Sequence, residues 1–299
     1  MLPMTALATL MVLGSALMHA TWNMLAKRSS HPLAFLWLVN TASLIIFLPV
    51  FLWALIRNGL PANAWPFVIA TGVLHILYIS FLSQAYRYGA LSITYPISRG
   101  TGVALVPIFA IPLLGEELSI FGLAGIGLVL IGIIGLHLRD ILMIFRPSSD
   151  GVLMQDRLAS NRGALYALIT GLTIAAYSLV DKAGVERANS LVYGYTIFIS
   201  MTLGLTPYVL RYHWNDAVTE FRNNPWLVAL GGLFVQGTYL IVLAAMTIAP
   251  VSYIVPLREV SVLFGAILGA IFLKEILTGA RILAAVIITF GVICIAVFG

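Results

Sequence analysis

The chain has 299 residues, 61% of them hydrophobic and only 9% charged. A soluble domain carries about 25% charged residues, so this chain cannot cover an aqueous surface. A soluble enzyme, a disordered tail and a nucleic-acid-binding module are excluded. The net charge of +5 comes from 16 Lys and Arg against 11 Asp and Glu, with no basic block suited to a polyanion.

A hydrocarbon core about 30 Å thick needs roughly 20 apolar residues of helix. Ten such runs follow one another at about 4–26, 33–56, 65–87, 91–114, 118–138, 163–182, 190–210, 225–247, 251–273 and 278–298. The first is too long for the apolar stretch of a signal peptide and ends in Lys27-Arg28, so it is read as a retained helix. No strand-like alternation appears, which argues against a barrel. The expected fold is an all-α membrane protein of ten transmembrane helices, with the lipid bilayer as its surroundings. Cys294, the single cysteine, lies in the last run, leaving no disulfide framework and no Cys-based metal site.

Most connections are short. The exception runs from Arg139 to Arg162, contains seven charged residues and falls near the midpoint. The halves on either side overlay. Pro66 matches Pro225, Tyr95-Pro96-Ile97 matches Val255-Pro256-Leu257, and Gly132 matches Gly291. Trp22-Asn23 and Lys27 match Tyr177-Ser178 and Lys182. The organisation is thus a first five-helix repeat at 1–138, a linker at 139–162 and a second repeat at 163–299. Five helices is an odd number, so the second repeat enters the membrane upside down. Inverted repeats of this kind mark secondary transporters.

Eleven Lys and Arg fall on the face reached after the first helix, and three (Arg57, Lys182, Arg187) on the other. The excess predicts a cytoplasmic linker and outside termini, in a plasma or inner membrane.

Function is read from polar groups that are costly where they lie. Arg99, Arg258 and Glu259 sit seven or eight residues into the fourth and ninth runs, some 10–12 Å deep at 1.5 Å per residue. Three charges there oppose insertion by on the order of 8–10 kcal/mol, so they must face the bundle interior or a wet cavity. Arg99 lies three residues after Pro96, and Glu259 three after Pro256. Two readings are open: a buried Arg99–Glu259 pair locking the halves together, or guanidinium groups that hold an anionic solute, with Glu259 taking an amine or a proton. Pro96 and Pro256, with Pro107, Pro112 and Pro250, predict helix breaks beside these charges, since proline removes a backbone donor and matched breaks point to a transporter's binding site.

Polar and aromatic stripes surround this centre. His19, Trp22 and Asn23 share a face of the first helix; His75 and Tyr78 lie on the third, Thr170, Thr173, Tyr177 and Asp181 on the sixth, and Gln236 and Tyr239 on the eighth. Tyr95 is one turn from Arg99. The stripes predict cavity lining, apolar in body and polar at the tip. Trp53, Trp65, Trp214 and Trp226 flank loops and read as interfacial belt. His31, His137 and His213 read as solvated; His19 and His75 are intramembrane, so a coupling proton is compatible with either. Glycines of the fifth helix, with Gly265 and Gly269, read as packing or homodimer faces.

No phosphate loop, zinc-protease motif or nucleophile elbow is present, so neither ATP drive nor enzymatic activity is expected, and no cofactor or metal. The chain resembles the drug/metabolite transporter superfamily, in particular its ten-helix EamA-type branch. The resemblance rests on the duplication, on Ala85-Tyr86-Arg87-Tyr88-Gly89-Ala90 with Pro96 and Leu113-Leu114-Gly115-Glu116-Glu117-Leu118, and on a second copy. That copy runs through Ala245-Met246-Thr247-Ile248-Ala249, Pro256 and Phe272-Leu273-Lys274-Glu275-Ile276-Leu277. It implies metabolite transport through a central cavity between the halves, driven by ion or solute gradients. The segment His19-Ala20-Thr21-Trp22-Asn23 with Lys27 is similar to a subgroup associated with phosphonate utilisation. The expected function is alternating-access transport of a small anionic or zwitterionic metabolite: an amino acid, an organic acid or an organophosphonate. Trp22, Tyr78 and Tyr239 would face its carbon skeleton, and a coupling proton or counter-solute would drive it. The alternatives are a proton-coupled multidrug exporter and a non-transporting membrane scaffold.

Overall fold

In the computed structural model the protein is described at residues 4–27, 29, 31–88, 91–136, 153–273 and 279–299. Twelve α-helices cover most of these, and no strand occurs among them. They are α1 Ala6–Lys27, α2 Pro32–Asn58, α3 Trp65–Tyr88, α4 Leu91–Leu114, α5 Ile120–Leu136, α6 Leu153–Val185, α7 Ser190–Tyr212, α8 Trp214–Asn223, α9 Pro225–Met246, α10 Val251–Arg258, α11 Val260–Leu273 and α12 Gly279–Phe298. Five stretches, Leu33–Asn58, Ala62–Tyr88, Ile97–Leu114, Arg162–Val185 and Pro225–Met246, are long and apolar enough to cross a membrane. Large apolar side chains such as Ile45, Ile56, Leu113 and Phe290 stand exposed on the outer surface, the arrangement expected of helices that face lipid.

Three elements depart from the sequence reading. Helix α8 lies where the runs of the sequence leave a loop; its ten residues are amphipathic, with Ala217 and Glu220 buried while Trp214 and Phe221 stay exposed. Helix α6 begins at Leu153, inside the stretch read as linker; residues 137–152, His137 among them, lie outside the described set, as do Arg28 and Glu275. The paired helix breaks are not symmetric. Helix α4 runs unbroken through Pro96, Pro107 and Pro112, whereas the ninth run stops at Arg258 and restarts at Val260. Each of Pro96 and Pro256 is the sixth residue of its helix, so the missing donor alone does not set the break. At Glu259 the backbone tightens instead, and its N–H donates to Pro256 O at 3.0 Å.

The largest interfaces join the two halves of the chain: α5 with α12, α3 and α4 with α6, and α1 with α9. They come in exchanged pairs. Replacing each helix by its counterpart in the other half turns α3–α6 into α9–α1, α4–α6 into the α10/α11 contacts with α1, and α3–α7 into α9–α2; α5–α12 and α2–α7 map onto themselves. Glycine permits the closest of these approaches. A Cβ at Gly125 would stand 2.7 Å from Gly291 O, and one at Gly291 2.7 Å from Gly125 O. Gly127, Gly135 and Gly265 meet nothing among the described residues within 4 Å.

The chain ends mark one end of the bundle: Met4 N–H donates to Gly299 O at 3.3 Å and the Ser119 hydroxyl to Phe298 O. At the opposite end His31 N–H, between α1 and α2, donates to Glu220 Oε1 of α8 at 3.0 Å. The main apolar core, from Met4, Ala8 and Val12 through Val68, Val185 and Met246 to Val251 and Tyr253, fills the terminus end. Only small clusters occupy the other end.

Candidate functional site

The space left at that other end is a cavity of about 240 Å³. Its mouth side is walled by Leu33 and Leu36 of α2, Ile79 and Leu82 of α3, and Met201 and Leu205 of α7. Polar groups converge at its depth. Of the residues singled out from the sequence, His19, Trp22, His75, Tyr78, Arg99, Tyr177, Tyr239 and Arg258 line it. A wall that is mostly aliphatic and aromatic, with few polar groups, is the usual form of a small-molecule site.

The intramembrane charges divide into a pair and a single. Arg99 Nη2 donates to Glu259 Oε1 at 2.6 Å and Arg99 Nε to Glu259 Oε2 at 3.3 Å, a two-point guanidinium–carboxylate contact. Glu259 is 2% exposed and Arg99 11%. Glu259 therefore does not line the main cavity; it borders a recess of about 10 Å³ shared with both arginines. Arg258 makes no ion pair among the described residues. Its guanidinium lies 5.6 Å from the Tyr239 ring centroid, a cation–π placement, and reaches the cavity.

Other residues singled out from the sequence do not line the cavity, Thr170 and Thr173 of α6 among them. Asn23 is exposed and returns its amide to His19 O at 2.7 Å. Tyr95 is half-buried outside the lining. Gln236 is fully buried, and neither amide atom has a hydrogen-bond partner among the described residues; three residues from Tyr239, it is rotated about 60° around α9. Pro256 is buried within α10. On the first helix His19 Nδ1 accepts from Trp22 Nε1 at 3.2 Å, which fixes the two rings edge to face.

Sequence reasoning assigned no role to Asn40, which lines the cavity with its carbonyl oxygen unpartnered; one polar residue on an apolar helix was the available signal. Asp181, on the stripe expected to line the cavity, does not line it. It is wholly buried behind Tyr239 and His75. The motif glutamate Glu116 is a helix cap. Gly115, at φ 66°, turns the chain out of α4, and Glu116 then accepts from Val251 N at 2.6 Å, Ser252 N at 3.1 Å and the Ser252 hydroxyl at 2.5 Å. A carboxylate suits a helix N-terminus electrostatically. Lys182 does the converse at the end of α9, donating to Met246 O at 2.6 Å and pairing with Glu186 at 3.2 Å. The two caps bracket the α9–α10 connection at the sealed end.

A sequence profile decides the family. That of the EamA-like transporter family matches the chain twice, over residues 6–138 and again over 161–297. The chain belongs to this family. It is a multi-pass membrane protein built from two family repeats, in a family of small-molecule transporters. A protein of known crystal structure shares the fold, with a TM-score of 0.69 at 18% identity over 97% of this chain and 96% of that one.

Proposed function

We propose that the protein is a gradient-driven carrier of a small anionic or zwitterionic metabolite. It works by alternating access of a central cavity between two inverted five-helix repeats, ten spans in all. The observation that carries the reading is Arg258: a guanidinium near mid-membrane, facing a cavity, with no carboxylate partner among the described residues. A buried cation with no carboxylate in direct contact is costly, and a carboxylate or phosphonate matches its donors at two points. Trp22, Tyr78 and Tyr239 offer ring faces to the solute's carbon skeleton.

Inversion is supported by the paired interfaces and by the Arg99–Glu259 contact. These are equivalent positions of the duplication, and equivalent positions meet only near the axis relating the halves. Arg99 is then the central lock and Arg258 the anchor. The excess of Lys and Arg at the cavity's end of the bundle makes that end cytoplasmic, so the conformation is open to the cytoplasm and sealed outside by the packing around Glu116 and Lys182.

The test is uptake of radiolabelled L-glutamate, succinate and methylphosphonate by proteoliposomes. Arg258→Gln should remove at least about 100-fold of the flux, since a charge-assisted two-point contact is lost in a dry site. Wild-type flux in a folded Arg258→Gln protein would overturn the assignment. The aliphatic cavity mouth favours a second reading, export of an amphiphilic drug. Under it, cationic dyes move and Arg258→Gln speeds rather than stops them.

A further inference from the structure

Beside the arginines, the cavity wall hides a second polar cluster centred on Asp181 of α6. The carboxylate is fully buried and makes no ion pair among the described residues. Its Oδ1 accepts from Thr71 Oγ1 of α3 at 2.5 Å and from Tyr193 OH of α7 at 3.0 Å. Its Oδ2 accepts from Tyr239 OH of α9. His75 lies alongside, with Nδ1 2.9 Å from Thr71 O and Nε2 3.2 Å from Tyr239 OH.

The hydrogens in this network can be counted. A carbonyl oxygen only accepts, so the contact to Thr71 O calls for a hydrogen on Nδ1, which then also faces the Thr71 hydroxyl oxygen at 3.1 Å. Thr71 gives its one hydroxyl hydrogen to Asp181, and Tyr193 directs its own to Asp181 at 3.0 Å with Phe67 O a second acceptor at 3.3 Å. Tyr239 also has one, but it stands between two acceptors, Asp181 Oδ2 and His75 Nε2. With Asp181 ionised and His75 neutral, one of those two contacts holds no hydrogen. A single added proton completes it, in either of two places. On Nε2 it gives an imidazolium facing a carboxylate. On Oδ2 it gives a neutral acid that donates to Tyr239, which in turn donates to Nε2. The forms interconvert as the Nε2–H hydrogen passes to the Tyr239 oxygen while the hydrogen of that hydroxyl passes to Oδ2; no bond is left over.

We propose that Asp181, Tyr239 and His75 form a binding site for one proton that enters from the cavity, and that this proton is bound together with the anion at Arg258. The second half rests on the transport reading above. His75 and Tyr239 line the cavity and Asp181 lies behind them, so the route in is through the imidazole. Arg258 covers the face of Tyr239, the residue whose hydroxyl holds Asp181. Arg99 and Glu259 cancel each other. In the empty site Arg258 is therefore balanced by Asp181 across one tyrosine ring. Adding the proton removes that balance and leaves a net positive cavity; an anion restores neutrality. Because net charge is costly in a low-dielectric site, the empty and doubly loaded forms are favoured and the singly loaded forms are not. The carrier then moves proton and anion in the same direction.

The other groups facing the cluster fit this scheme. Tyr177 of α6 stacks on His75 with centroids 4.3 Å apart, and Tyr78 of α3 meets Tyr177 edge-on. Lys182, next to Asp181 in sequence, is directed to Met246 O. Arg99 of α4 is held by Glu259, and His19 of α1 is occupied by Trp22.

The experiment is an isotope-edited infrared pH titration of the purified full-length protein in lipid nanodiscs, with 13C-labelled aspartate. The expected result is a pH-dependent band, from a protonated carboxyl that shifts on labelling or from an imidazolium ring, that is lost in Asp181→Asn and moves in Tyr239→Phe. Removing the guanidinium in Arg258→Gln should raise the proton affinity about tenfold, because a nearby cation opposes the added charge. Absence of both bands, carboxyl and imidazolium, across the titration overturns the proton site, and this measurement uses the wild-type protein only. Persistence of the band in Asp181→Asn also overturns it, and an unchanged midpoint in Arg258→Gln overturns the coupling to the anion. No solute is needed, so the outcome is separate from the transport reading. A protein that shows the band but carries no solute fails only that reading, whereas one that transports without the band fails only this inference.

Discussion

The central ion pair gives the most quantitative prediction. Arg99→Gln leaves Glu259, 2% exposed, without the two donors it now accepts from. Opposite charges about 4 Å apart attract by about 4 kcal/mol at an effective dielectric of ~20, and breaking a buried pair by removing one partner costs about 3–5 kcal/mol because the other stays buried and uncompensated. Glu259→Gln should cost less, about 1.5–3 kcal/mol, since Arg99 is 11% exposed and borders the cavity. The double variant Arg99→Gln/Glu259→Gln leaves two neutral amides able to bond each other. Its loss should fall short of the sum of the singles by about 2 kcal/mol. Reversible SDS titration in mixed micelles, followed by tryptophan fluorescence and circular dichroism, measures all three. Additive losses, or single variants as stable as wild type, would refute the view that this contact fastens the halves at their centre.

Three further outcomes follow from the packing. Gly125→Val should lower stability by about 1–3 kcal/mol, because its side chain would meet the α12 backbone at Gly291; an unchanged unfolding midpoint would contradict the close approach. Glu116→Ala should cost about 1–3 kcal/mol and speed hydrogen exchange at Val251 and Ser252, whose amide donors lose their acceptor; exchange at wild-type rates would show that the cap holds nothing. Gln236→Met should raise stability by about 1–3 kcal/mol, as it removes a buried amide with neither atom bonded. A thermal shift upward with loss of uptake would assign Gln236 to the solute, and a downward shift would mean that it has partners after all.

Much of the architecture was legible in the sequence because the bilayer leaves so few solutions. Without water, the backbone must satisfy itself within each helix, so long apolar runs report helices directly, and duplicated motifs report the repeat. Buried charge was legible for the same reason: Arg99, Arg258 and Glu259 had no tolerable place except inside. Which charge meets which was not. The sequence left open which group Arg99 meets, and its contact with Glu259 joins helices about 160 residues apart in the chain. Neighbouring helices also misled. Tyr239 and Gln236 share a stripe in sequence, yet a 60° rotation sends one to the cavity and the other into packing. The matched prolines predicted two breaks and only the ninth run has one, since neighbouring contacts rather than a missing donor decide where a helix gives way.

Composition and periodicity alone therefore determined a helical, duplicated membrane protein carrying charge at its centre, because burial in hydrocarbon penalises every other arrangement of this chain. Only the tertiary structure decided that Arg99 is paired with Glu259 and Arg258 is not, that the open space lies at the end away from the termini, and that Asp181 accepts from a Tyr239 hydroxyl that also meets His75. Those outcomes turn on distances of a few ångströms between helices remote in sequence, and periodicity along one helix contains no information about its neighbour.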